Sequence, residues 1–127
     1  MKYQMELASN GSRSWVSTGS EWEKKIGYSR AVKTGHFVFV SGTVGKNVDG
    51  SMPDDLINQT KNSLTIISEA LSRLDSSIEK IVKLNIFMEI IYLPHISVRV
   101  SYPKLILICI TAIRSQDRKS TRLNSSH

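Results

Sequence analysis

Few side chains in this sequence have the types and spacing that catalysis or metal binding requires. The three histidines, His36, His95 and His127, lie far apart, and none has a carboxylate or a cysteine at metal-ligand spacing. The single cysteine, Cys109, lies within the apolar run LILICITAI, which favours a small buried hydrophobe over a nucleophile. We therefore expect no metal and no cofactor.

Glycine and tryptophan residues offer two further ligand-binding patterns, and neither has strong support. The segment GTVG at residues 42–45 is too short for a phosphate-binding loop and lacks its lysine. Trp15 and Trp22 could stack on a base or a sugar, but the few basic residues near them favour packing or a subunit interface.

The net charge of +6 lies mostly at one end of the chain. Residues 1–88 hold 11 Lys and Arg against 9 Asp and Glu, whereas residues 89–127 hold 6 basic and 2 acidic residues. Because the main body is nearly balanced, we expect no nucleic-acid partner. The apolar region at 86–113 is interrupted by charged residues and prolines, so we expect no membrane span. The first residues lack the apolar core of a secretory signal, and a lone cysteine excludes an internal disulfide, which together favour a cytoplasmic protein.

The first half of the chain has the patterns of short strands. Residues 14–18, SWVST, alternate large apolar and small polar residues, as a strand with one buried face does. The charged run at 21–25 is interpreted as a loop. Two β-rich runs, 28–34 and 36–44, flank Gly35 and predict a hairpin.

The second run of that hairpin has bulk on both of its faces. Phe37 and Phe39 share one face with Ser41, while the other face carries Val38, Val40 and Gly42. This pattern predicts a central strand that is covered on both sides.

A helical pattern follows the turn-forming loop at 45–52. Pro53 suits a first helical turn, and Asp54 and Asp55 place negative charge at the positive end of the helix dipole. Apolar spacings of three and four predict an amphipathic helix of about six turns. Its buried face is predicted to carry Leu56, Thr60, Leu64, Ile67, Leu71 and Leu74. After a short turn at 78–80, residues 81–87 predict another strand, and the order indicates an α+β domain.

The last third of the chain departs from these patterns. Residues 89–116 contain β-branched residues but no second amphipathic helix, and we interpret them as an aberrant segment from a frameshift, a retained intron or a chimera; genuine divergence is the alternative. Residues 117–127, DRKSTRLNSSH, match the translation of a sequencing-library adapter and are excluded from fold reasoning. The predicted organisation is therefore a tail at 1–13, a partial domain at 14–88, and these two segments.

Three motifs in residues 15–87 carry a family resemblance. They are GYSRAVKTGHFVFVSGTVG, the helical NQTKNSL, and SSIEKIVKLNIF. With these motifs the sequence resembles the Rid family, the reactive intermediate deaminases of the YjgF type, over roughly the first 60% of that domain. The resemblance implies a chorismate-mutase-like α+β fold of two β-α-β halves, a homotrimer, and ligand sites in clefts between neighbouring subunits.

The same resemblance implies a chemistry and three site residues. Active family members are hydrolases that convert 2-imino acids and their enamine tautomers to 2-keto acids and ammonia. Tyr28 matches the tyrosine that lines the family's cleft, and Ser41 and Gly42 match the serine and glycine at the end of its long strand. Gly42 also lacks a β-carbon, so a ligand can approach its backbone closely. We expect these three residues to bind a small imino or keto acid.

Two family motifs needed for that chemistry are missing. The family's substrate-binding arginine follows a second helix in a P-A-R-S segment, and its water-positioning glutamate lies in a later V-E-I-E-A strand. Neither segment occurs here, and neither role is transferred to Arg99 or Glu89. Two functions therefore stay open: an impaired imine or enamine deaminase, and a non-catalytic ligand-binding or regulatory trimer. RNA cleavage, known in parts of the family, finds no basic surface in residues 1–88.

Overall fold

A computed structural model of the protein describes residues 3–92 and 101–113, and it confirms the predicted α+β class. One sheet has the strand order β1-β2-β3-β4-β6-β5, and each strand is antiparallel to its neighbours. The strands are β1 (Glu6–Asn10), β2 (Arg13–Ser17), β3 (Ala31–Thr34), β4 (Phe37–Val44), β5 (Ile81–Tyr92) and β6 (Ser101–Ile113). The helices are α1 (Glu21–Ile26) and α2 (Leu56–Arg73), with a single 3-10 turn at Ile78–Lys80.

The predicted hairpin is present as β3 and β4. Val32 lies opposite Phe39, and Gly35 in the connecting turn has a φ of 58°, which glycine adopts without a steric penalty. The predicted strand at 14–18 corresponds to β2. The segment predicted as a tail contains β1, which pairs with β2 and forms the edge of the sheet.

The predicted loop at 21–25 is wrong, because these residues form α1. Ser20 caps this helix by accepting a hydrogen bond from the Glu23 backbone N–H at 3.2 Å. The Glu23 carboxylate in turn accepts from the Ser20 hydroxyl at 2.9 Å, and Gly27 ends the helix in the left-handed conformation. The Ser-x-x-Glu spacing that marks this helix start was available in the sequence.

Helix α2 is confirmed, but its buried face is turned from the predicted one. Asp55, not Pro53, begins it, because the Asp55 carboxylate accepts from the Asn58 backbone N–H at 2.9 Å. Leu64 is 39% exposed and Thr60 is half-buried, whereas Gln59 and Ser63 are buried. Short polar side chains fit here because the helix lies close to the backbone of β4: the Ser63 hydroxyl donates to the Thr43 carbonyl oxygen at 3.2 Å.

The core lies between α2 and one face of the sheet. Because β4 and β5 are both antiparallel to β6, they run in the same direction, and β4-α2-β5 is a split β-α-β unit around β6. The buried apolar side chains are Met5, Val16, Ala31, Val38, Val40, Ile66, Ile67, Ala70, Leu71, Leu74, Ile108, Ile110 and Ala112.

The C-terminal segment adds a strand to this sheet. Residues 101–113 form β6, which lies between β4 and β5, so part of the segment predicted as aberrant completes the sheet. The pairing of β5 with β6 is irregular between Glu89 and Ile90, next to Pro103, which cannot donate a ladder hydrogen bond. The predicted adapter-derived residues 117–127 lie outside the described residues, as do His95 and Arg99.

Within the part of the chain that the structure describes, the second face of the sheet is exposed at Phe37 and Phe39. The central position of β4 is confirmed, but Phe37 and Phe39 are each 47% exposed, so the predicted cover on both faces is absent within the described part of the chain. On the face that α2 packs against, the β5 side chains Leu84, Ile86 and Met88 are also about half exposed. One helix is too narrow to cover a sheet of this width. Within residues 3–92 and 101–113, neither helix has the length and apolar character needed to cross a membrane.

Candidate functional site

A cavity of about 960 Å³ lies where the end of β4 meets the start of β3 and α1. The chain before β3 contributes Tyr28 and Arg30, and the end of β4 contributes Gly42 and Thr43. The remaining wall comes from the N-terminal segment, the region around α1, the loop after β4, and α2. Its other lining residues are Tyr3, Gln4, Thr18, Ser20, Trp22, Val44, Lys46, Asn47, Val48, Gly50, Met52 and Ile66.

A bulge in β4 forms one wall of the cavity. The pairing of β4 with β6 shifts register between Val40 and Thr43, so Ser41 and Gly42 lie at the irregular point. Bulges release backbone groups from the sheet ladder and often occur beside functional sites. Here the Gly42 carbonyl oxygen accepts a hydrogen bond from the Arg30 guanidinium.

Arg30 is the most unusual side chain at the site. It is only 8% exposed, and its guanidinium lies 5.5 Å from the centre of the Tyr28 ring, within cation-π distance. Its Nε–H is buried and has no acceptor within the described residues. The backbone of Arg30 is fixed on both sides, since its N–H donates to Val16 O at 2.8 Å and its carbonyl oxygen accepts from Ser41 N at 3.0 Å.

The structure brings together two of the three predicted site residues. Tyr28 and Gly42 both line the cavity and both contact Arg30. Ser41 does not line it: its hydroxyl donates to the Ser29 carbonyl oxygen at 2.7 Å and fastens β4 to the chain before β3. Contact of any of these residues with a ligand stays a prediction.

Arg30 was missed because the sequence pattern treats its position as variable. The resemblance has the form Y-S-x-A-V, in which Arg30 is the x. One weak signal was available: Arg30 is a basic residue that directly precedes Ala31, the first residue of β3, and Ala31 is buried. Long charged side chains are rarely buried unless a partner or a function holds them.

A second cluster of polar groups, at the start of α1, lies beside the cavity. The buried Glu23 carboxylate accepts hydrogen bonds from the Thr18 backbone N–H at 3.1 Å and from the hydroxyls of Thr18 and Ser20. These bonds position Trp22, which lies on the cavity wall. Glu23 itself lines a neighbouring cavity of about 810 Å³, and the two cavities share Tyr3, Gln4, Thr18 and Tyr28.

Tyr3 closes part of the boundary between these cavities. Its hydroxyl donates to the Lys46 carbonyl oxygen. Burial, and secondly the negative charge of Glu69, raises the pKa of Tyr3, so the phenol is protonated at neutral pH and remains a donor.

Metal-binding side chains do not cluster within the described ranges. No cluster of three or more His, Cys, Asp or Glu side chains there could hold a metal ion. His36 lies in the turn between β3 and β4, and Cys109 is a half-buried free cysteine of β6 rather than a fully buried one. Among the side chains of residues 3–88 and 108–112, no Asp or Glu lines the larger of the two cavities.

Comparisons with known proteins agree on one family. A family model described as "Endoribonuclease L-PSP" matches residues 18–91. The mitochondrial protein mmf2 of Schizosaccharomyces pombe is 36% identical over 61 residues, which are 48% of this chain and 48% of mmf2. This chain thus spans about half the length of that curated relative.

Solved structures show the same fold. Rv2704 of Mycobacterium tuberculosis, described as a member of the YjgF/YER057c/UK114 family, has a TM-score of 0.63 and 27% identity, over 80% of this chain and 99% of Rv2704. Escherichia coli TdcF, solved with bound serine, has a TM-score of 0.55 and 19% identity, over 69% of this chain and 88% of TdcF. The second similarity supports the fold alone.

Proposed function

This chain belongs to the YjgF-type family described as Endoribonuclease L-PSP, and from that premise we propose that it is an imine or enamine deaminase that acts on a small molecule. Its substrate would be a 2-imino acid or its enamine tautomer. The observation that carries this proposal is the cavity beside the bulge of β4, which both Tyr28 and Gly42 line.

The chemistry requires positioning more than a strong base. Water adds to the C=N carbon of the protonated imine, and the resulting carbinolamine expels ammonia and leaves the 2-keto acid. The protonated imine is already electrophilic, so holding substrate and water in one orientation supplies much of the acceleration. Tyr28, whose hydroxyl can donate and accept, lines the cavity, whereas the hydroxyls of Thr18 and Ser20 donate to Glu23 and can offer such a water only an acceptor.

A second function, binding without catalysis, is favoured by a specific feature of the cavity. A carboxylate commonly holds the attacking water, and within the described part of the chain none lines the larger cavity. The alternative proposal is therefore a ligand-binding or regulatory protein that takes a small imino or keto acid in the same place. If the first proposal holds, we expect slow turnover.

Ammonia release from 2-iminobutyrate separates the two functions. The substrate would be generated from threonine by a dehydratase in the presence of the full chain, and ammonia release would be compared with that in the presence of heat-denatured chain. Faster release supports the deaminase. Unchanged release together with saturable binding of 2-ketobutyrate, measured by calorimetry, supports the binding protein. If ammonia release is unchanged and 2-ketobutyrate does not bind, both proposals are contradicted.

We also propose that the protein forms a homotrimer. The aromatic face of β4 supports this assembly, since Phe37 and Phe39 are half exposed and their rings lie 6.2 Å apart. Exposed apolar patches of this kind mark interaction surfaces.

A cytoplasmic location is likewise proposed, although the S. pombe relative carries "mitochondrial" in its name. Imaging of the tagged full chain would decide between these compartments.

A further inference from the structure

Arg30 is a buried cation, and among the side chains of residues 3–88 and 108–112 it has no charged partner. Among these residues, its side-chain interactions are the hydrogen bond to Gly42 O and the contact with the Tyr28 ring. Burying a charge without a counter-ion is unfavourable, so such residues are typically paired or bind something charged. An unsatisfied guanidinium beside a cavity therefore indicates an anionic ligand.

We propose that Arg30 is the anion-binding residue of this cavity and that it selects ligands by their carboxylate group. The class of the acid, an imino or keto acid, is taken from the proposed function, whereas the role of Arg30 does not depend on that function. The guanidinium has five N–H donors in a planar fork that matches a carboxylate. Gly42 occupies one donor, and the Nε–H has no acceptor within residues 3–92 and 101–113.

The surroundings of Arg30 fit this role. Its backbone is fixed by Val16 and Ser41, and the bond to Gly42 and the Tyr28 ring hold its head group, so a ligand meets a guanidinium that is already oriented. Preorganised donors lose little conformational entropy on binding. Tyr28, which lines the same cavity, offers a hydroxyl for the rest of a small polar acid.

Lys46 offers a matched comparison. It is the other cation that lines the cavity among the described residues, but it is exposed. Exposed charges are screened by water and salt, so Lys46 contributes little to affinity. A role confined to structure, in which Arg30 only fastens the bulge of β4, predicts instead that ligand selectivity does not depend on Arg30.

The experiment measures binding by calorimetry to the full chain and to Arg30→Met, Arg30→Lys and Lys46→Met. The probes are 2-ketobutyrate, its neutral amide, and benzoate, a carboxylate that is not a keto acid. We expect Arg30→Met to weaken carboxylate binding about tenfold or more, as loss of a charge-assisted hydrogen bond does, and to leave amide binding unchanged. Arg30→Lys should retain part of the carboxylate preference, and Lys46→Met should weaken carboxylate binding much less than Arg30→Met does, because an exposed charge contributes little.

The outcomes separate this inference from the proposed function. Arg30-dependent binding of benzoate, with no binding or hydrolysis of the keto and imino acids, supports the anion site and contradicts the proposed function. If the unmodified chain and Arg30→Met prefer 2-ketobutyrate over its amide to the same degree, the inference is overturned and the proposed function still stands. Absence of all carboxylate binding contradicts both. If circular dichroism shows that Arg30→Met is unfolded, Arg30→Lys decides, because a normal affinity and preference in that variant overturns the role of the fork.

Discussion

At the scale of single residues, Gly45 fixes how closely α2 approaches the sheet. A β-carbon at this position would overlap the backbone carbonyl of Gln59 on α2. We expect Gly45→Ala to destabilise the protein by about 1–3 kcal/mol, since backbone atoms must move apart to admit the methyl group. Urea unfolding would measure the loss. The control is Val48→Ala in the same loop, whose side chain is 42% exposed and whose removal should change stability by less than about 0.5 kcal/mol. An equal effect of both substitutions would contradict the close approach.

Residue types predicted part of the candidate site and not the rest. Tyr28 and Gly42 could be assigned to one site because the family motifs contain both, and both line the cavity. The Ser41 hydroxyl donates to the Ser29 carbonyl oxygen and Ser41 does not line the cavity, so its contact with a ligand stays a prediction. Arg30 could not be found from its neighbours in sequence, because its environment is the Gly42 carbonyl at a bulge, and single-residue bulges leave no alternation signal that distinguishes them.

At the scale of elements, the start of α2 depends on one carboxylate. Asp55 accepts hydrogen bonds from the Asn58 backbone N–H and side chain, which lower its pKa. A lowered pKa in the folded state means that the stabilisation is complete above the unfolded pKa and is lost as the pH falls through the folded value, below about pH 4. We expect the urea midpoint to fall on acidification more steeply for the unmodified chain than for Asp55→Asn, which caps without titrating near this pH. Equal pH dependence would contradict this role, and Asp55→Ala should be less stable than either chain at neutral pH.

The two helices show what periodicity can and cannot predict. The presence of α2 was accessible because apolar residues recur at helical spacing from Leu56 to Leu74, and Ile67, Leu71 and Leu74 are fully buried. Its exact rotation was not, since Ser63 is buried against the Thr43 carbonyl oxygen on β4, which only the folded chain brings near. Helix α1 has six residues, too few for a periodic signal, and only its capping residues identify it.

At the scale of the whole molecule, the sheet is built from one local and one non-local half. Strands β1 to β4 each pair with the next strand in the chain, β1 with β2 and β3 with β4 across short turns, and β2 with β3 across the segment that contains α1. A turn signal such as the one at Gly35 can predict a local pair of this kind. Strand β6 pairs with β4 across more than sixty intervening residues, and its place between β4 and β5 is a property of the assembled sheet. A segment without turn or helix signals thus gave no indication that it would complete the sheet.

The open face of that sheet leads to a prediction about assembly. If the exposed aromatic pair of β4 is buried between subunits, a charge placed there must be desolvated, which opposes association. We expect light scattering to give three times the chain mass of 14.3 kDa for the unmodified protein and a single chain mass for Phe39→Lys. Ile57→Lys is the matched control, because Ile57 is 68% exposed on α2, away from this face, and should leave the mass unchanged. A monomeric unmodified chain would contradict the trimer, whereas a trimer that survives Phe39→Lys would place the interface on another surface, such as the exposed side chains Leu84, Ile86 and Met88 of β5.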